Sequence, residues 1–125
     1  RNVDIAARYG GEEFAIILPD TNIEGAKLTA ERIRSRIEGL RIEHHGETIT
    51  ITISIGIASS EVSDARTMKQ FIEEADRALY RAKGDGRNRV RLYDAALDGG
   101  TKTEEPKKEE ASPDGKERRN RRKSE

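Results

Sequence analysis

The chain has no cysteine and no tryptophan among its 125 residues. Without cysteine it can build neither a disulfide framework nor a thiolate metal site, a usage that fits a reducing compartment such as the cytoplasm. No apolar run approaches the roughly 20 residues a helix needs to cross a bilayer, and no secretory leader opens the sequence. This segment is therefore expected to make no membrane contact, which leaves attachment through other segments open. An excess of one charge is also lacking, since 24 Lys and Arg balance 24 Asp and Glu. A neutral chain has no overall field to steer nucleic acid, so no nucleic-acid partner is expected, and any bound anion must be held by a local site. The sequence starts at Arg1 rather than Met and enters strand-like residues at once, as expected of a piece of a longer protein.

Aromatic residues make up only 4% of the chain and charged residues 38%, an average that hides a shift in composition near Asp98. From Gly99 to Glu125 the only apolar residue is Ala111. Such a stretch buries too little surface to offset its ordering entropy, so residues 96–125 are expected to form a disordered charged tail behind one domain at 1–95. Arg118, Arg119, Arg121, Arg122 and Lys123 form a basic cluster, but acidic residues interrupt the same tail, which favours a solvated segment over a polyanion site.

Before the tail the chain is patterned. Val3, Ile5, Ala7 and Tyr9 alternate as in a half-buried strand, and Phe14 to Leu18 is an apolar run typical of a central strand. Gly10-Gly11 between them is a hairpin signal. Thr21 and Glu24 match a capping box, followed by an apolar stripe of Ile23, Ala26, Ala30, Ile33, Ile37 and Leu40. Residues 41–45 and 48–58 predict a second hairpin turning at Gly46-Glu47. Its second strand aligns Ile49, Ile51, Ile53, Ile55 and Ile57 on one face. Thr67 and Gln70 predict the cap of a second helix with a buried stripe of Met68, Phe71, Ile72, Ala75, Leu79 and Ala82, stopping near Gly84. Val90 and Leu92 predict a short last strand. Hairpins separated by helices imply an α+β fold, a largely antiparallel sheet covered by helices.

The chemistry centres on Arg8-Tyr9-Gly10-Gly11-Glu12-Glu13-Phe14. Paired glycines let a ligand approach the backbone, and carboxylates beside them can share a cation with a phosphate. Neighbouring strand residues face opposite ways, so Glu12 and Glu13 do not serve one metal equally. On local physics alone, an ordinary hairpin turn with two solvated acids is the stronger reading.

Gly10-Gly11-Glu12-Glu13-Phe14 resembles the GGEEF form of the motif of GGDEF-domain diguanylate cyclases. Arg1-Asn2-Val3-Asp4 is similar to that family's RxxD inhibitory site, and Ala75 to Asn88 resembles its closing helix and loop. The strand from Ile51 to Ile57, with Ser54 and Gly56, fits as well. Three motifs in the right order and spacing cover residues 1 to about 93. The resemblance implies the palm-like fold of nucleotidyl cyclases with its N-terminal part missing. It also implies condensation of two GTP into cyclic di-GMP with release of pyrophosphate, in a homodimer whose two sites face each other. Magnesium, or manganese, is the implied cofactor. The resemblance makes Glu12 the main metal-binding and catalytic carboxylate and Glu13 a supporting one. Gly10 and Gly11 would line the guanosine, and Lys83 and Arg87 would contact the triphosphate. A Lys point charge and an Arg fork suit phosphate oxygens, although basic residues at a helix C-terminus also favour the helix dipole.

Arg1, Asp4 and, on the first helix, Arg32 match the family's inhibitory site for cyclic di-GMP. Arg1 and Asp4 are three apart and converge only if the chain turns at Arg1. Five residues separate Asp4 from Gly10, about 17 to 20 Å of extended strand, so a ligand there need not overlap the substrate. This favours allosteric product inhibition. His44 and His45 are adjacent strand residues expected to face opposite ways, exposed and not chelating. The family's domain begins upstream, with an aspartate metal ligand and an Asn and Asp that read guanine, none of which is in this chain. The isolated chain is therefore expected to turn over little GTP. The competing function is an inactive cyclic di-GMP receptor.

Overall fold

A computed structural model describes residues 4–99. Strands β1 (Ile5–Gly10) and β2 (Glu13–Ile17) form an antiparallel hairpin. Helix α1 (Ile23–Glu38) follows, then a second hairpin of β3 (Ile42–His44) and β4 (Glu47–Ile49). Strand β5 (Ile55–Ile57), helix α2 (Met68–Gly84), strand β6 (Val90–Leu92) and a short helix α3 (Ala95–Asp98) complete the described residues.

The core lies where β5 and β6 meet the helices. The two strands pair in parallel, Ile55 with Val90 and Ile57 with Leu92, which the α2 crossover makes possible. Ala26 and Ala30 of α1 pack against Ile57, with Ile55, Val90, Leu92 and Leu18 around them. Alternation along β5 turns Gly56 the other way, onto α2, where the backbone of Ala75 and Leu79 comes so close that no Cβ fits. The two long helices thus cover opposite faces of one strand pair.

Both helices begin as capping chemistry requires. The Thr67 hydroxyl accepts from the Gln70 amide at 3.1 Å, as its spacing predicts. The cap of α1 is Asn22, whose Oδ1 accepts from the Gly25 amide at 2.8 Å. Thr21, expected in that role, instead donates its hydroxyl to the Pro19 carbonyl. Glu61, from the loop before α2, accepts the Ile23 amide at 2.9 Å and satisfies a second open donor of α1.

Several expectations are corrected. The predicted strand at 48–58 is split, because β4 pairs with β3 while β5 pairs with β6, and residues 50–54 join neither ladder. The second hairpin turns at His45-Gly46, both with positive φ (49° and 78°), rather than at Gly46-Glu47. Such a pair of left-handed residues matches the twist of a two-residue hairpin. Among the described residues β2 is no central strand: it pairs only with β1, and Phe14 is 73% exposed. Met68 is 66% exposed, because it opens α2 about two turns before the contact with β5. Helix α3 crosses the boundary expected between 95 and 96. Asp98 is buried there and accepts a two-pronged bond from Arg81, at 2.8 and 3.1 Å. The remainder of the charged tail lies outside the described residues.

Candidate functional site

The glycine-rich motif occupies the tip of the first hairpin. Gly10 pairs with Glu13 across a register shift at Tyr9, so the two turn residues are Gly11 and Glu12 rather than Gly10 and Gly11. Glu12 therefore stands at the apex, while Glu13 is the first residue of β2. The two acids thus differ in position, one in the turn and one on the strand, rather than by alternation along a single strand. Gly11 has φ +31°, a region that favours glycine. Gly10 has no positive φ, and a Cβ on it would meet no atom within 4 Å. Nothing among the described residues requires a glycine at position 10.

Arg8 holds this tip. Its Nε and Nη2 both donate to the Gly11 carbonyl, at 2.9 and 2.6 Å. The sequence pattern includes Arg8 in the motif but gives its side chain no role of its own. A fork that closes on a carbonyl three residues away leaves no periodic signal. Among the described residues, β1 and β2 approach each other and no other helix or strand closely. Just after β2, Leu18 packs against the core.

Lys83 and Arg87 stand at the far end of α2. Lys83 lies in its last turn, and Arg87 is exposed in the loop that follows. Neither cationic head meets a carboxylate among the described residues. Among the described residues α2 makes no close approach to β1 or β2, so the structure does not itself join these two groups of residues. The loop has an unusual backbone: Gly86, Arg87 and Asn88 all have positive φ, at 122°, 62° and 47°. The Arg87 amide donates to the Ala82 carbonyl at 3.0 Å, satisfying one of the last helix carbonyls.

A second cluster reaches this loop from α1. Arg34 donates to both carboxylate oxygens of Glu31, to Glu38 Oε2 at 3.1 Å, and to Asn88 Oδ1 at 2.9 Å. The Asn88 side-chain amide donates to Glu38 Oε2. The hydrogen bond with Glu31 holds the Arg34 guanidinium above its ordinary pKa. Glu31 is held below the usual carboxylate range by its bond from Arg34. Glu38 is held low by the Asn88 hydrogen bond first and the Arg34 charge second, against the effect of desolvation. Arg34 and Asn88 are 54 positions apart, so no local pattern marks the pair.

Of the proposed inhibitory residues, Arg1 lies outside the described residues. Asp4 is half-buried at the start of the first strand, and Arg32 is exposed on α1. The rings of His44 and His45 meet edge to face with centroids 4.1 Å apart, not on opposite faces. His45 has left the strand for a left-handed turn, which swings its ring back. Both remain exposed, as expected, and among the described residues no three histidine or acidic side chains gather to form a metal cage. No helix among the described residues is long and apolar enough to cross a membrane.

Comparison with known proteins matches residues 1–89 to the diguanylate cyclase GGDEF domain. Diguanylate cyclase A of Treponema denticola is 49% identical over 92 residues, which is 74% of this chain and 24% of that protein. The response regulator PleD of Caulobacter vibrioides is 41% identical over 92 residues, covering 72% of this chain and 20% of that protein. The chain thus spans about a quarter or less of the length of these relatives. Among solved structures, the GGDEF domain of DgcB from Caulobacter crescentus in complex with c-di-GMP superposes with a TM-score of 0.67. The two share 36% identity, over 73% of this chain and 52% of that one. The active GGEEF domain of a diguanylate cyclase from Vibrio cholerae gives a TM-score of 0.62 at 34% identity, over 73% and 56% of the two chains. With its glycine-glycine-acid hairpin and helix-capped α/β core, the chain belongs to the GGDEF diguanylate cyclase family.

Proposed function

We propose that this chain is the catalytic-turn half of a diguanylate cyclase, which joins two GTP into cyclic di-GMP. The observation that carries the reading is Gly10. Among the described residues neither backbone conformation nor packing calls for glycine there, which supports a ligand lying against the turn. In the reaction the 3′-oxygen of one GTP attacks the α-phosphorus of the other. The bond to the β-phosphate bridging oxygen breaks, and pyrophosphate leaves; a second, reciprocal attack closes the ring. Two copies of the domain, each holding one GTP, face each other for this exchange.

Catalysis of this kind rests on positioning and charge neutralisation. Glu12, at the exposed apex, would hold Mg²⁺ or Mn²⁺ and draws the proton from the attacking hydroxyl, and Glu13 supports it from the base of β2. One or two carboxylates plus substrate phosphates suffice for Mg²⁺, so this donor set fits a metal shared with the nucleotide rather than a protein cage. The bound ion would supply charge neutralisation on the phosphates. Lys83 and Arg87, both free of carboxylate partners among the described residues, hold the triphosphate. Arg1, Asp4 and Arg32 form a separate product-binding site that inhibits turnover. The substrate places the domain in the cytoplasm. The chain alone, without the upstream part of the domain, turns over little GTP.

The test is GTP turnover with Mg²⁺ by the protein carrying its complete domain, beside a Glu12→Ala variant. Turnover reduced by about 10²-fold or more, with the fold intact, supports the reading. No turnover in the dimeric parent, with cyclic di-GMP still bound, would replace it with a receptor.

A further inference from the structure

The loop after α2 poses a question of conformation. Arg87 and Asn88 are consecutive non-glycine residues with φ of 62° and 47°. The left-handed region is rare for side chains other than Asn or Asp, and such conformations persist only where surrounding contacts impose them. Asn88 carries those contacts. Its amide donates to the Ser54 hydroxyl at 3.1 Å, its Oδ1 accepts from Arg34, and its Nδ2 donates to Glu38. Arg34 is itself fixed, with its side chain only 16% exposed and Glu31 and Glu38 on its guanidinium. Both ends of the Asn88 side chain are thus tied to α1, and its backbone to the segment before β5.

We infer that Asn88, Arg34 and Glu38 are positioning residues for Arg87, holding its backbone in the left-handed form that presents the guanidinium to a nucleotide triphosphate. The inference rests on the reading of Arg87 given above and extends it to three residues that would not touch the substrate. Fixing Asn88 fixes the peptide plane that follows Arg87. The Arg87 amide is pinned to Ala82 and its carbonyl accepts Arg89 Nε at 2.9 Å, so both sides of the residue are held. The cationic head remains available. The bridge joins α1 to the irregular loop between α2 and β6.

A double-mutant cycle in the protein carrying its complete domain tests this. Asn88→Gly keeps the left-handed backbone accessible and removes both side-chain bonds. It is expected to raise the KM for GTP about fivefold, the scale of one net hydrogen bond, with little change in kcat. In an Arg87→Ala background the same substitution is expected to change KM by less than about twofold, because the group it positions is gone. A purely structural role would give equal effects in both backgrounds, and that result would overturn the inference, as would an unchanged KM for Asn88→Gly. If Arg87→Ala alone leaves KM unchanged, the triphosphate role of Arg87 fails and this inference with it, while Glu12-dependent turnover stands. Should Asn88→Gly fold poorly, Glu38→Gln carries the same cycle. It keeps an acceptor for Asn88 but weakens the hold on Arg34.

Discussion

Replacing Gly56 with alanine strikes the seam of the core. A Cβ at this position would lie 2.1 Å from the Ala75 carbonyl oxygen, 2.3 Å from the Leu79 nitrogen and 2.9 Å from the Leu79 Cα. All three are backbone atoms of α2, so no side-chain rotation relieves the clash. Restoring an ordinary contact requires the helix to retreat by about 1.3 Å, and a gap of even 0.5 to 1 Å forfeits about a quarter to half of each dispersion contact along the seam. Gly→Ala in a compatible backbone would stabilise by about 0.4 to 1 kcal/mol through the unfolded state, so the measured loss is net of that gain. Overpacking costs about 1 to 3 kcal/mol where side chains can yield. With only backbone to yield, we expect a loss of about 3 kcal/mol, seen as a fall in Tm of about 10 °C. Thermal unfolding of the complete domain, followed by circular dichroism, measures it. A fall of less than about 3 °C would refute the argument that α2 seats directly on the Gly56 backbone.

Two further predictions follow from contrasting sites. Gly10→Ala meets open space, so Tm is expected to change by less than about 2 °C, while GTP turnover falls because the new methyl stands where the ligand lies; parallel melting and turnover assays separate the two effects. Asp98→Ala leaves the Arg81 guanidinium without its buried partner, at a cost of about 3 kcal/mol read by urea unfolding. Burial pushes the Asp98 carboxyl up, but the bonds from Arg81 and the Asp94 amide outweigh it and hold the group below its usual range. The pairing therefore contributes fully above the ordinary Asp pKa and is lost as pH falls through the lower folded value. A loss of amide protection over 94–99 on acidification, taken relative to the intrinsic exchange rate and absent in Asp98→Ala, is the expected sign.

What the sequence made legible was local. Thr67 and Gln70 stand three apart, and the cap they form needs nothing else. The GGEEF turn likewise shows in five consecutive residues, although its apex lies one residue later than paired glycines imply. The failures came where partners are remote. Alternation of isoleucines from Ile49 to Ile57 is the same whether one strand or two pass through it. Only the choice of β3 or β6 as neighbour divides them. The cap of α1 was missed by one residue: Asn22, a stronger cap by type than Thr21, takes the place while Thr21 bonds to Pro19. The Arg34–Asn88 bridge spans 54 positions and could be found only in three dimensions.

The way the first hairpin's tip is held has an evolutionary consequence. It is fastened by Arg8, a residue of the hairpin itself, through two bonds to the Gly11 carbonyl. Gly11 is bound to its place by a positive φ, whereas Glu12 is exposed beside it and takes no part in that hold. A lineage can therefore exchange the acid at the apex and keep the turn that once presented it.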